Sequence, residues 1–242
     1  MNISDIELLE KIAIEESRES IWAYRQLLNG KKLKLGWWQK EISEVLQCFY
    51  TELCNGDKPI YIIQAPPQHG KSSQIVDFVS WVAGKNPSLK AIYSSFSERL
   101  GIRANLRLQK IYDSEKFKKI FPLTKINDSN SVTVSGQTLR NRDIIEYIGE
   151  EGFFRNTTVR GAITGESLDI GIIDDPIKGR AEANSKIVRE GTWDWFTDDF
   201  FSRYSENAGT LMILTRWHVE DPAGLLEKES QNVKIFKYPA IA

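Results

Sequence analysis

The sequence is poor in the residues that build disulfide and metal scaffolds. It has two cysteines, Cys48 and Cys54, and two histidines in 242 residues. The cysteines fall six apart within one expected helix, so they point to different faces and cannot readily bridge. With no Cys-x-x-Cys spacing and so few histidines, a structural zinc site is excluded as the organising feature. The chain also lacks a charge excess: its formal net charge is -1. Any contact with nucleic acid must therefore come from a local patch. No apolar run reaches membrane-spanning length. The acidic N-terminal stretch MNISDIELLEKIAIEESRES is not a signal peptide, and the expectation is a reduced, cytosolic protein without a membrane partner. There is no internal repeat, low-complexity tract or Pro/Ser-rich linker.

What is there is ordinary globular composition, 41% hydrophobic and 27% charged, in a length that suits one large α/β domain or two small ones. Apolar spacing predicts a helix over 4–28, stopped at Asn29-Gly30, and a second over about 37–54, closed by Asn55-Gly56. The basic loop GKKLKLG joins them. From there short apolar strands alternate with helices: strand 60–64, helix 71–83, strand 90–94, helix 97–112 with Ser97 as its cap. Strand-like pieces cluster over 131–160 (SVTVSG, DIIEYIG, NTTVRG). A buried-strand run follows at 168–174, then a helix over about 182–204 and a strand at 210–215. A short helix after Asp221 and a last strand, VKIFKYP, complete the pattern. This alternation predicts a three-layer α/β sandwich around a mainly parallel sheet. A soft boundary near 56–59 divides an N-terminal helical arm, 1–56, from an α/β core, 57–242.

One stretch carries chemistry. In YIIQAPPQHGKSSQIV an apolar strand runs through a turn into a helix, the context a phosphate-binding loop needs. Such a loop aims backbone N–H groups and the positive end of a helix at one anion. The loop spans Ala65, Pro66, Pro67, Gln68, His69, Gly70, Lys71, Ser72 and Ser73. Gly70 permits close backbone approach, Lys71 reaches the β- and γ-phosphates, and Ser72 places its hydroxyl on magnesium. Ala65 stands where the pattern has its first glycine, and alanine disfavours positive φ. A strand-turn-helix with a capping Ser72 and a solvated Lys71 would share part of this pattern. About a hundred residues later LDIGIIDDP runs an apolar strand into two carboxylates. Asp174 is placed to hold the magnesium shell and Asp175 to polarise the attacking water. Loop and acidic strand together point to ATP and Mg²⁺ and to phosphoric anhydride hydrolysis.

QAPPQHGKS, GIIDDPIKGRAEANS and LMILTRWHVEDPAGLL, in this order over roughly 35–242, resemble the ATPase domain of the large terminase subunit of tailed phages. The resemblance implies a P-loop fold of the ASCE-like type and ATP-driven translocation of double-stranded viral DNA into a procapsid. It also implies the cytoplasm of the bacterial host as the site of action. As partners it implies a portal protein, a small terminase subunit, and further copies in a ring, although an isolated domain can be monomeric. The family usually has a basic residue where this chain has Gln68. Its second domain, a nuclease, would begin about where this chain stops, so nuclease activity is not expected here. TRWH matches the family's coupling motif, giving Thr215 and Arg216 that role. LGWWQKEI resembles the adenine-reading segment, with Gln39 on the base, while Trp37 or Trp38 can equally be core. Arg160 or Arg155 stands where the family places an arginine finger, and Arg160 is favoured.

Arg99, Arg103, Arg107 and Lys110 fall four, four and three apart and form one helical stripe, suited to a DNA backbone or equally to a solvated face. The aromatics Trp193, Trp195, Phe196, Phe200 and Phe201 read as core rather than as base-stacking platforms. Two other readings share some of these features. A helicase-like remodeller needs the loop and the acidic strand but not TRWH followed by DPAG. A non-hydrolysing assembly module would not need Lys71, Ser72, Asp174 and Asp175 together.

Overall fold

The computed structural model describes residues 3–33, 36–132, 138–163, 165–230 and 232–239. Among them seven strands form one sheet: β1 (Ile60–Gln64), β2 (Lys90–Ser95), β3 (Ile144–Glu146), β4 (Phe153–Thr158), β5 (Leu168–Asp174), β6 (Tyr204–Leu214) and β7 (Val233–Lys237). Their spatial order is β3-β4-β2-β5-β6-β1-β7. All pairings are parallel except β3 with β4. The strand before the loop and the strand before the acid pair are thus not neighbours, because β6 lies between them.

The central strands are apolar on both faces, as a covered parallel sheet requires. Tyr61, Ile63, Ile170 and Ile172 face one layer, and Ile62, Ile92, Ile173 and Met212 face the other. The first layer holds α1 (Ile3–Glu19), α2 (Ile21–Asn29), α3 (Trp37–Asn55), α4 (Lys71–Lys85), α5 (Glu98–Tyr112) and α6 (Glu115–Ile120). On the opposite side of the sheet, α7 (Arg180–Asn184) and α8 (Lys186–Asp194) lead into a π-helical turn, Trp195–Phe200, and α9 (Pro222–Glu229) follows β6. Among the described residues no helix is long and apolar enough to cross a membrane.

Two expected helices are broken. The first divides at Ser20, which is extended and caps α2 by accepting a bond from the Ala23 N–H at 3.3 Å. Serine stabilises such an N-cap through its side-chain oxygen. The helix expected over 182–204 is interrupted at the extended Ser185 and then widens into the π-turn. A π-turn brings residues five apart onto one face. Trp195 and Phe200 accordingly meet at 5.0 Å between ring centroids and sink into the sheet with Phe196. Gly171 in β5 makes room, because a Cβ there would overlap Phe200 and the Tyr204 hydroxyl. Phe201 stays exposed, so most of this aromatic group is core, as expected. Ser97 holds the cap position of α5 without a side-chain cap bond. Much of SVTVSG lies outside the described residues, as do Lys34 and Leu35 of the basic loop. Cys48 and Cys54 are free.

The N-terminal helices share the core of the first layer rather than forming a separate one. Ile21, Tyr24, Ile42, Leu46 and Phe49 pack with Tyr61 and Phe78. A buried ion pair pins α2 to α4: Arg25 Nε donates to Asp77 Oδ2 at 3.1 Å, with side-chain exposures of 2% and 1%. Arg25 Nη1 also donates to Ser43 Oγ at 2.9 Å and Gln74 Oε1 at 3.0 Å. Breaking such a pair from one side leaves an uncompensated buried charge. Asp77→Ala should therefore destabilise the fold by about 3–5 kcal/mol, read from the urea-unfolding midpoint. A loss under about 1 kcal/mol would mean that Arg25 is solvated or paired elsewhere.

Candidate active site

The loop between β1 and α4 is shaped by two left-handed residues. Gln68 has φ +64° and Gly70 has φ +74°, whereas Ala65 is not among the positive-φ residues. The glycine missing at position 65 is therefore not needed for its backbone freedom. Ala65 continues the strand, donating from its N–H to the Leu214 carbonyl at 3.1 Å. Gly70 is the N-cap of α4 and offers no side chain to it. The first N–H groups of a helix have no partners within it. The start of α4 thus presents free donors and a positive dipole end beside Lys71, Ser72 and Ser73.

Lys71 is turned inward and is only 5% exposed. Its Nζ donates to the Ala65 carbonyl at 2.9 Å and to Thr215 Oγ1 at 2.7 Å, and lies 3.6 Å from Asp175 Oδ2. Asp175 Oδ1 accepts from the Thr215 N–H at 2.7 Å. Asp175 has φ +45°, strained for an aspartate, and its N–H is held by the Ile213 carbonyl at 2.9 Å. The ends of β1, β5 and β6 are joined at this point. Lys71, Asp175 and Thr215, 144 positions apart at the extremes, come together.

Asp174, at the last position of β5, is 1% exposed. Tyr93 on β2 donates its hydroxyl proton to Asp174 Oδ2 at 2.5 Å. Oδ1 is buried without a hydrogen-bond partner, although the Ser72 hydroxyl lies close enough to the carboxyl to favour its charged form. Burial pushes the Asp174 carboxyl up to about 6, and the charge of Asp175 adds to this; the Ser72 and Tyr93 hydroxyls and Lys71 hold it down. A carboxyl made costly to ionise, with one orphaned oxygen facing the loop, fits a cation. Mg²⁺ takes one or two protein oxygens and completes its shell with phosphates and water. Asp174 and Ser72 suit that mode. Among the described residues there is no cluster of three or more His, Cys, Asp or Glu that would hold a metal without such help.

A cleft of about 650 Å³ extends from Gly70 and Ser73 to Trp38 and Gln39 at the start of α3. Gln39 lines it, and its Oε1 is buried without a partner. Trp38 meets the His69 ring edge-on at 5.7 Å, while Trp37 is 64% exposed.

The arginines are tied to other groups. Arg160, at φ +67°, rests on α8 and donates to the Val188 carbonyl at 3.0 Å. Arg155 pairs with Glu166. Arg216 lines a hollow with Ala65, Pro66 and Pro67, and its Nε donates to Asp221 Oδ2 at the start of α9 at 2.9 Å. Asp221 in turn caps α9 through the Gly224 N–H. Arg99, Arg103 and Lys110 are exposed on α5, but Arg107 is not free on that face: it bonds Ser73 and Asp77 on α4. Sequence reasoning missed two residues of the site. Tyr93 reads as one more apolar position in AIYSS, and the tie from Arg107 to α4 crosses elements whose packing no spacing reveals.

A sequence profile of the family described as "Terminase large subunit, T4likevirus-type, N-terminal" matches residues 62–236. No curated protein matches the chain. Among solved structures, the chain is similar to the large terminase of bacteriophage HK97, with a TM-score of 0.56 at 12% identity. The similarity covers 86% of this chain and 40% of that one, so this chain spans well under half of the HK97 protein. At that identity the likeness concerns the fold. The profile, extending from β1 to β7 and containing both the loop and the acid pair, decides the family: this chain belongs to the terminase large subunits of the T4likevirus type.

Proposed function

We propose that this chain binds Mg-ATP at the loop and the acid pair and hydrolyses it to drive double-stranded DNA into a procapsid. The observation that carries the reading is the buried, unpartnered Asp174 Oδ1 beside Ser72 at the uncapped start of α4. Such an arrangement is costly unless a cation and a phosphate complete it. The placement of β6 between β1 and β5 supports an ASCE-like P-loop fold, with 57–242 as its ATPase core and 1–56 as an arm. Phosphoryl transfer asks mainly for positioning and charge neutralisation.

On this reading Lys71 exchanges the Ala65 carbonyl and Thr215 for the β- and γ-phosphates, joined by the free N–H groups of α4. Asp174 and Ser72 would hold Mg²⁺, which when bound neutralises charge on the transferred phosphoryl. Asp175, 28% exposed, orients and deprotonates the attacking water. Thr215, whose N–H holds Asp175, passes the change at the phosphates to β6, and Arg216 ties the strand end to α9. Gln39 reads the base. Arg160 would serve a neighbouring subunit of a ring, and Arg99, Arg103 and Lys110 the DNA backbone. The portal, the small subunit and the host cytoplasm belong to the same proposal.

The two carboxylates separate cleanly by experiment. Asp175→Asn should keep Mg-ATP bound while hydrolysis falls by at least about a hundredfold, the scale of a lost general base. Asp174→Asn should lose magnesium-dependent binding yet make the metal-free fold more stable at neutral pH. An unfolded aspartate titrates near 4, and this one near 6. The folded-state penalty is thus absent below about pH 4 and fully present above about 6, on the order of 2–3 kcal/mol. Equal loss of nucleotide binding in both variants, or a destabilised Asp174→Asn, would contradict the assignment.

The motor reading is checked by measuring hydrolysis against protein and DNA concentration. Turnover should rise with protein concentration and with double-stranded DNA. Arg160→Ala should flatten the first dependence, and a triple Arg99→Gln, Arg103→Gln, Lys110→Gln variant the second. If both variants follow the wild type, the ring and DNA roles given to these residues fall.

A further inference from the structure

One arginine has left the exposed stripe for the cleft, and the charge around it does not balance. Asp77 is 1% exposed and faces two guanidiniums. Its Oδ2 already accepts from Arg25 Nε and from Asn29 Nδ2, each at 3.1 Å. Its Oδ1 accepts from Arg107 Nη2 at 2.7 Å. Arg25 is fully buried, so the Asp77 charge is committed to it. Two guanidiniums against one carboxylate leave one positive charge over, and that charge sits on Arg107, whose side chain is 37% exposed and lines the cleft. A surplus cation held on a cleft wall is a ready partner for an anion.

The position of Arg107 says which anion. Its Nη1 bonds Ser73 Oγ in the first turn of α4. Ser73 follows Lys71 and Ser72, which the reading above gives to the β/γ end of the nucleotide and to the metal. From Ser73 the cleft runs away from the acid pair, which does not line it, toward Gln39 and Trp38. Arg107 therefore stands between the end that takes the terminal phosphates and the end that takes the base. A nucleoside triphosphate laid along this path brings its α-phosphate there. Guanidinium presents five N–H donors in a planar fork. With one donor on Asp77 and one on Ser73, others remain for phosphate oxygens.

We infer that Arg107 binds the α-phosphate of the nucleotide, and so serves ATP and ADP alike rather than the terminal phosphate alone. The inference rests on the loop being a nucleotide site. It places Arg107 in binding rather than on DNA, and it gives Asp77 and Arg25 the part of holding the guanidinium at the cleft wall.

Arg107→Ala is a fair probe, because Asp77 keeps Arg25 and Asn29 and is not orphaned; a thermal melt confirms the fold. Arg107→Lys, which keeps the ion pair with Asp77, serves if the alanine variant does not fold. Dissociation constants for ATP, ADP and adenosine are measured by competition with a fluorescent ADP analogue. Arg107→Ala should weaken ATP and ADP by a common factor of about ten or more, the scale of a lost charge-assisted hydrogen bond, and leave adenosine unchanged. Arg107→Lys should fall between the two. ADP binding within about twofold of wild type would overturn the inference, as would adenosine weakened by the same factor, since Arg107 would then be shaping the base or sugar end. Loss of DNA affinity with nucleotide affinity intact would overturn it too and return Arg107 to the stripe. If the wild-type protein binds neither ATP nor ADP, the nucleotide-site reading itself fails, and this inference with it.

Discussion

The inward turn of Lys71 is the interaction on which the rest of the site depends. A lysine ammonium is rarely buried unless it is paired. Here it is satisfied by the Ala65 carbonyl, the Thr215 hydroxyl and the Asp175 carboxylate, one group from the end of each of three strands. The order of the sheet makes this possible, because β6 lies between β1 and β5 and brings Thr215 within reach of both. An anion arriving at the start of α4 competes for that one ammonium. On the proposed reading, moving the ammonium would free the Thr215 hydroxyl and Asp175 Oδ2 together, so that a single side chain would link phosphate at the loop to the position of β6.

Around this point the chain departs from what local preference favours. Gln68 and Asp175 adopt left-handed backbone, which costs a non-glycine residue roughly 1–2 kcal/mol. Asp174 is buried at a cost in ionisation, and Gln39 Oε1 and Asp174 Oδ1 lack partners. Such departures gather where surrounding structure over-determines them, and they are where function is sought. One departure elsewhere has a packing reason: the π-turn brings Phe200 over the space left by Gly171 and against Trp195.

Much of this was legible in the sequence. The loop strand, the acid-tipped strand and α3 fall within a residue or so of their expected bounds, because apolar runs ending in Gly, Pro or acid leave little freedom. The family follows from three motifs in order. The rest was hidden for identifiable reasons. Ser20 and Ser185 break helices whose apolar spacing runs through them. The strand β6 begins at Tyr204, six residues before the expected 210, because its polar start, Tyr204-Ser205-Glu206-Asn207, does not look like a strand. Helical spacing places Arg107 beside Arg103 but cannot say that α4 lies opposite it. Tyr93 and Asp174 are 81 positions apart and meet only because β2 and β5 pair.

The central claim is that loop, acid pair and Thr215 form one phosphate-transfer site governed by Lys71. Steady-state release of inorganic phosphate from Mg-ATP tests it most directly, with wild type and Lys71→Ala compared at equal, verified fold content. Magnesium-dependent turnover is expected of the wild type, and none above background of the variant. Equal phosphate release by the two proteins would contradict it.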